Sequence, residues 1–306
     1  MFHAFVIRAA AFVMASLTGF ASVFTGTIDF KQPPEQLNTP IRQQVVDAWN
    51  YGRSNGIATG ITVIDRVNRN RIIWSDRDAH VPMYMAGVAK SMIAFYVVRK
   101  DKNAIRTLSE PLTSMMVGDS NEAADRLWKR FGGQRIVEDT AYRYNLQEIE
   151  VSDTWGNIKL SAYDTARMYR SFLDDKNISL GAKKYVTRLM KRSQLNTGGM
   201  DASYGIPTAL NMSPDGAWRQ GWWNKSSGAI VRNSTAIVFV GDVPRVIVVV
   251  FTKHPKYMSE SEASRKTTEM CSILVTSNHV MSQDDAPQEL VSSWFRAPAQ
   301  VAWAER

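Results

Sequence analysis

Cysteine is almost missing from this sequence of 306 residues, which contains only Cys271. A single cysteine cannot form a disulfide within the chain, so packing alone must stabilise the fold. Histidine is scarce as well, and its four residues are His3, His80, His254 and His279. Their spacing does not match that of metal ligands. We therefore expect neither a metal site nor another cofactor.

Long runs of one charge are also missing, although the formal net charge is +8. This balance favours anionic surroundings, such as nucleic acid, anionic lipid or an acidic cell-wall polymer. The basic residues occur in scattered pairs, such as Arg99-Lys100 and Lys183-Lys184, without interleaved aromatic residues. Such scattering is typical of a solvated basic surface, so no nucleic-acid partner is expected.

The first 26 residues combine Arg8 with an apolar run over residues 9–24. This run has the length of a secretory signal peptide and is slightly short for a membrane-spanning helix. We predict a signal peptide or, as the alternative, a retained anchor that is the protein's only contact with the membrane. The protein is then secreted or held at the outer face of the cytoplasmic membrane. No cysteine stands directly after the run, which argues against lipoprotein anchoring.

The apolar pattern of the remaining chain predicts an α+β fold, in which helices flank an antiparallel sheet of about five strands. The predicted strands are residues 57–66, 71–75, 217–223, 229–240 and 245–252. Residues 87–99 are apolar on nearly every side, which indicates a buried central helix. Residues 103–195 contain amphipathic helices and almost no strand signal, which indicates an inserted helical subdomain. A last helix is predicted over residues 259–275.

The same pattern predicts how the chain is divided. The predicted parts are a signal peptide or anchor over residues 1–26, a linker and first helix over 27–50, the main domain over 51–280 and a tail over 281–306. A parallel, doubly wound sheet is excluded, because the last three strands follow one another through short turns.

Three separated motifs contain the residues that could take part in catalysis or ligand binding. They are Gly87-Val88-Ala89-Lys90 at the start of the central helix, Asp119-Ser120-Asn121 in a turn and Arg219-Gln220-Gly221 in a strand. In spacing and context they resemble the SxxK, SDN and KTG motifs of the serine β-lactamases and penicillin-binding proteins, a superfamily that includes DD-peptidases. The resemblance covers most of residues 35–280. Residues 121–125, 154–156, 161–164 and 221–222 are similar to the actinobacterial serine-hydrolase branch.

The resemblance implies a role for each motif position. In the superfamily a serine attacks a lactam or peptide carbonyl, a lysine accepts its proton and backbone N–H groups hold the oxyanion. The implied positions are Gly87 for the nucleophile, Lys90 for the lysine, Asp119 for the serine of SDN, Asn121 for its asparagine, and Arg219, Gln220 and Gly221 for the carboxylate-binding strand. Backbone N–H groups of Gly87 and Trp222 stand where the oxyanion hole is expected.

Gly87 departs from this pattern in the most consequential way. Glycine has no side chain, so no acyl-enzyme can form there, and no Ser, Thr or Cys stands three residues before any lysine. Ser91 and Ser120 remain as alternative nucleophiles. We also expect Asp119 to pair with Lys90 and hold it protonated, which would prevent Lys90 from acting as a base.

These observations predict an exported relative of the β-lactamases and DD-peptidases whose catalysis is impaired. It would bind peptidoglycan-like peptides, β-lactams or a protein partner through Gly87, Arg219, Gln220, Gly221 and Trp222. The first alternative is an active serine hydrolase, a β-lactamase or D-Ala-D-Ala carboxypeptidase, with a non-standard nucleophile. The second alternative is a structural protein whose cleft is vestigial.

Overall fold

A five-stranded antiparallel sheet forms the centre of the computed structural model, which describes residues 40–66, 72–197, 200–224 and 230–275. Its strands are β1 (Ala58–Asp65), β2 (Ile72–Ser75), β3 (Gly216–Asn224), β4 (Ile230–Val240) and β5 (Val243–His254). Their order across the sheet is β2-β1-β5-β4-β3. The five predicted strands are therefore confirmed, whereas the turn between β1 and β2 lies outside the described residues.

Helices cover both faces of this sheet, so β4 is buried at ten of its eleven positions. The helices are α1 (Pro40–Ser54), α2 (Ala89–Lys100), α3 (Ala104–Thr107), α4 (Ser109–Met116), α5 (Asn121–Arg130), α6 (Gln134–Tyr144), α7 (Ala162–Asp174), α8 (Leu180–Lys191), α9 (Ile206–Ala209) and α10 (Glu260–Val275). Helices α1 and α10 pack together on one face, and α7 packs against β1 and β5. The predicted α+β architecture is confirmed.

Helix α2 is the central helix that the sequence predicts. Every residue from Ala89 to Val98 is buried, as expected from its apolar character on all sides. A short 3₁₀ turn, Ala86–Val88, precedes it and contains Gly87. Phe95 stacks on Phe172 of α7 with ring centroids 3.8 Å apart, which fixes α2 between the sheet and the helical part.

The described part of the chain also contains a second sheet that the sequence pattern does not predict. It has three strands of two residues each, Met83–Tyr84, Lys159–Leu160 and Ile149–Glu150, in that order. Strands this short show no detectable period in the sequence, because alternation needs several residues.

The predictions for the chain termini, residues 1–26 and 281–306, lie outside the described residues. Within the described part, no helix is both long enough and apolar enough to cross a bilayer.

His254 at the end of β5 is a buried imidazole in the core. Its Nε2 lies 3.0 Å from the hydroxyls of both Thr252 and Thr267, while its Nδ1 has no partner among the described residues. Burial, followed by the charges of Arg232 and Lys266, lowers the pKa of His254 to about 3. The imidazole is therefore neutral in the folded protein at physiological pH.

We expect the stability advantage of the wild type over His254→Gln to shrink by up to about 1.4 kcal/mol per pH unit as the pH falls below about 6.5. The unfolded chain then gains a proton that folded His254 does not accept. Burial also raises the pKa of Asp76 to about 7, which acts in the opposite direction, but this contribution is common to both proteins. Urea denaturation at several pH values measures the difference, and a constant difference contradicts the expectation.

Candidate functional site

The structure brings together Lys90 of α2, Asp119 in the turn before α5 and Arg219 of β3. The ammonium Nζ of Lys90 lies 2.6 Å from Asp119 Oδ1 and donates to the backbone oxygen of Asp119 at the same distance. Arg219 Nη2 donates to the same Oδ1. We call these three residues the charge cluster; it contains the ion pair that the sequence predicts between Lys90 and Asp119.

Burial decides the electrostatics of the charge cluster. Lys90 is 1% exposed, and this burial, followed by the charge of Arg219, lowers the pKa of Lys90 to about 8 against the opposing effect of Asp119. Burial would raise the pKa of Asp119, but Arg219 and Lys90 together bring it below its usual value. Asp119 thus favours protonated Lys90, as expected, but it only offsets part of the cost of burying the ammonium.

Arg219 is directed into the protein, where all three of its side-chain nitrogens donate hydrogen bonds. Nε donates to the Gly87 oxygen at 3.0 Å, Nη1 donates to the Met116 oxygen at 3.1 Å, and Nη2 reaches Asp119. The side chain is 2% exposed. Its guanidinium therefore joins β3 to the turn before α2, the end of α4 and the turn before α5.

Gly87 lies directly against strand β3. A Cβ atom added to Gly87 would stand 2.6 Å from the carbonyl oxygen of Gln220, and 3.4 Å from the Cα atom of Gly221. Gly221 is equally close to the turn, because a Cβ there would meet the Met85 oxygen. Backbone thus contacts backbone at a point where neither residue has room for a side chain. Strand β3 therefore occupies the space that a side chain at residue 87 would need.

The side chain of Gln220 makes its hydrogen bonds away from the charge cluster. Its Nε2 donates to the Tyr204 oxygen at 2.5 Å and to Ser234 Oγ at 2.9 Å. Half-buried Trp222 lines a cavity of only about 10 Å³ together with Asp119, Arg219 and Gln220. Such a space holds roughly one water molecule. Arg219 and Gln220, which were predicted to bind a ligand, therefore make their hydrogen bonds within the protein.

The two serines considered as alternative nucleophiles are both engaged elsewhere. Ser91 is fully buried and accepts a hydrogen bond from Tyr169 at 3.1 Å, and Ser120 caps α5 by accepting one from the Ala123 N–H at 3.1 Å. Asn121 is exposed in the first turn of α5. No hydroxyl among the described residues forms a hydrogen bond with Lys90.

Two further residues shape the site without having been singled out as functional from the sequence. The Trp155 ring lies 5.2 Å from Lys90 Nζ and is held by a 2.7 Å hydrogen bond from its Nε1 to Asp125. Asn233 donates to the Tyr84 oxygen at 2.6 Å, which fixes the chain just before Gly87. Trp155 and Asp125 belong to the segments that carry the resemblance, but their contact joins positions 30 residues apart.

The sequence itself places this arrangement in a family. Residues 99–275, more than half of the chain, match the Beta-lactamase enzyme family. The chain belongs to this family. Among curated relatives, the provisionally named lipoprotein LppW of Mycobacterium tuberculosis is 27% identical over 228 residues, which cover 72% of this chain and 69% of LppW. The Mycobacterium bovis LppW matches equally.

Solved structures of family members share the fold. A class A β-lactamase from Bacteroides cellulosilyticus has a TM-score of 0.64 at 11% identity, covering 78% of this chain and 98% of that one. A serine-to-glycine variant of the extended-spectrum β-lactamase TLA-1 has a TM-score of 0.62 at 14% identity, covering 77% and 98%. These likenesses confirm the predicted fold, and the family match confirms the predicted superfamily.

Proposed function

We propose that this protein is a member of the Beta-lactamase enzyme family that does not form an acyl-enzyme and acts in the cell envelope by binding. The observation that carries the proposal is the contact between Gly87 and the Gln220 carbonyl. It leaves no room for a nucleophilic side chain at the position where the family has one.

The surroundings of Gly87 support this proposal. Acyl transfer needs a hydroxyl within reach of a base and N–H donors directed at the developing oxyanion. Lys90 instead donates to Asp119, and the group nearest to the absent Gly87 side chain is a carbonyl oxygen, which repels an oxyanion. The cavity beside Asp119 has room for about one water molecule and none for a lactam ring.

The envelope location rests on two observations. Residues 1–26 have the sequence of a signal peptide or anchor, and the relative LppW is provisionally named a lipoprotein. The only cysteine in this sequence, Cys271, is buried in α10, so it cannot carry a lipid next to the apolar run. We therefore infer export, with attachment, if any, through the N-terminal segment.

Peptidoglycan-like peptides are the ligands we propose, with a protein partner as the alternative. Arg219 and Gln220 already use their donors within the protein, so a peptide would contact the accessible side chains around the charge cluster. These are exposed Asn121 and half-buried Trp155 and Trp222. Aromatic faces and an amide suit a neutral peptide backbone and its methyl groups better than they suit a carboxylate.

A labelled penicillin tests the absence of acyl transfer. We expect no covalent adduct after long incubation of the full chain, as measured by mass spectrometry, because no described hydroxyl forms a hydrogen bond with Lys90. An active class A β-lactamase serves as the positive control. An adduct on any serine, Ser120 included, contradicts the proposal, and the Ser120→Ala variant then shows whether that residue is the nucleophile.

A further inference from the structure

A cavity of about 390 Å³ opens where β1 begins and β5 ends, and it shares no lining residue with the charge cluster. Its walls are largely apolar, and they are formed by Ala58, Pro82, Met83, Tyr84 and Val231. Val81 at its edge has 52% of its surface exposed. The volume lies in the usual range for small-molecule sites, which is roughly 300–1,000 Å³.

Two lysines provide positive charge at this cavity. Strand register places Lys253 opposite Ala58 on one side and Val231 on the other, so these three side chains share one face of the sheet. Lys253 is exposed and has no ion-pair partner in the described part of the chain. Lys159 lies 5.1 Å above the Tyr84 ring and 2.7 Å from Glu150.

Asp78 is the one carboxylate in the described lining. Its Oδ2 accepts a hydrogen bond of 2.9 Å from Trp49 Nε1, so this oxygen contacts a side chain of α1. Glu150 pairs with Lys159, whereas no described carboxylate lies within ion-pair distance of Lys253. The cavity therefore combines apolar walls with an exposed ammonium that has no ion-pair partner among the described residues.

We propose that this cavity binds a single-chain amphiphile with an anionic carboxylate head, its aliphatic body against Pro82, Met83 and Tyr84 and its head at Lys253. A neutral or cationic head would leave Lys253 without a counter-charge, and a purely polar anion would leave the apolar walls in water. This site lies outside the family's substrate cleft, and its existence does not depend on whether the chain catalyses acyl transfer.

Calorimetric titration of the full chain with dodecanoate, below its micellar concentration, tests the proposal. We expect binding that weakens about fourfold for each methylene removed, since each buried methylene contributes a similar hydrophobic increment. Dodecyltrimethylammonium should bind at least about tenfold more weakly, because it loses the attraction of Lys253 and meets its repulsion instead. Equal binding of the cation and the anion overturns the proposal, and so does an absence of dodecanoate binding, which is the result if another segment of the chain fills the cavity.

Variants locate the site. Val81→Asp places a carboxylate at the mouth and should weaken dodecanoate binding at least about tenfold, whereas Lys253→Gln should weaken it about threefold to fivefold. Val243→Asp is the matched control, because Val243 is 63% exposed in a different part of the protein. If Val81→Asp and Val243→Asp bind equally well, the site is elsewhere and the proposal fails.

Vesicles separate a free amphiphile from a lipid surface as the source of the anion. We expect dodecanoate to bind in free solution, and we expect phosphatidylglycerol vesicles to bind the Val81→Asp and wild-type proteins equally at physiological salt, through the N-terminal segment that both share. Binding to the vesicles that needs Val81, without binding of free dodecanoate, overturns the proposal in favour of a membrane-docking surface.

Discussion

Gly87→Ser is expected to lower the free energy of unfolding by about 1–3 kcal/mol and to produce no efficient hydrolysis of a chromogenic cephalosporin. The new Cβ atom would stand 2.6 Å from the Gln220 oxygen, so strand β3 or the turn before α2 has to move. The colliding atom belongs to the backbone, which cannot rotate away as a side chain can. At most slow acylation is expected, because Asp119 and Arg219 also depart from the family pattern.

Two control variants separate the backbone collision from the chemistry of the hydroxyl. Gly87→Ala introduces the same Cβ atom without a hydroxyl and should destabilise the protein as much as Gly87→Ser does. Gly156→Ser should change the stability by less than about 0.5 kcal/mol, because no atom from elsewhere in the described chain lies within 4 Å of a Cβ there. Urea denaturation measures all three variants. A Gly87→Ser protein that is as stable as the wild type and hydrolyses the cephalosporin contradicts the inference that residue 87 has no room for a side chain.

The second large effect is expected for Asp119→Asn, which should lower the free energy of unfolding by about 3–5 kcal/mol. The substitution leaves the charges of Lys90 and Arg219 buried without a carboxylate. Water cannot replace the carboxylate, because both residues are nearly inaccessible to it. Asp119 has a φ angle of 55°, a left-handed conformation that asparagine tolerates as well as aspartate does. The expected loss is therefore electrostatic, with no contribution from backbone strain.

The controls for Asp119→Asn use one exposed pair and one double variant. Asp242 pairs with Lys184 at the surface, where the aspartate side chain is 88% exposed, so Asp242→Asn should leave the free energy of unfolding almost unchanged. Adding Lys90→Met to Asp119→Asn removes one unpaired charge and should restore at least about 1 kcal/mol. If Asp119→Asn alone lowers the free energy of unfolding by less than about 1 kcal/mol, Asp119 is not needed to stabilise the buried charges of Lys90 and Arg219.

The sequence by itself determined the fold class and the order of its elements. The strands of the main sheet and the buried helix α2 are visible because alternation and continuous apolar character are local properties of the chain. It also determined that residue 87 lacks a nucleophile, since a side chain is either encoded or not. The two-residue strands and the pairing of Trp155 with Asp125 could not be read from it.

Only the tertiary structure decided which partners the polar residues around Gly87 have. Arg219 hydrogen-bonds to Gly87 across 132 positions of sequence, and Gln220 turns to Tyr204 and Ser234. The sequence predicted a strand that presents donors to a ligand, and it could not show whether those donors already had partners within the protein. Hydrogen-bond partners, the burial that lowers the pKa of Lys90 and the space beside a glycine depend on atoms from distant segments, which meet only after folding.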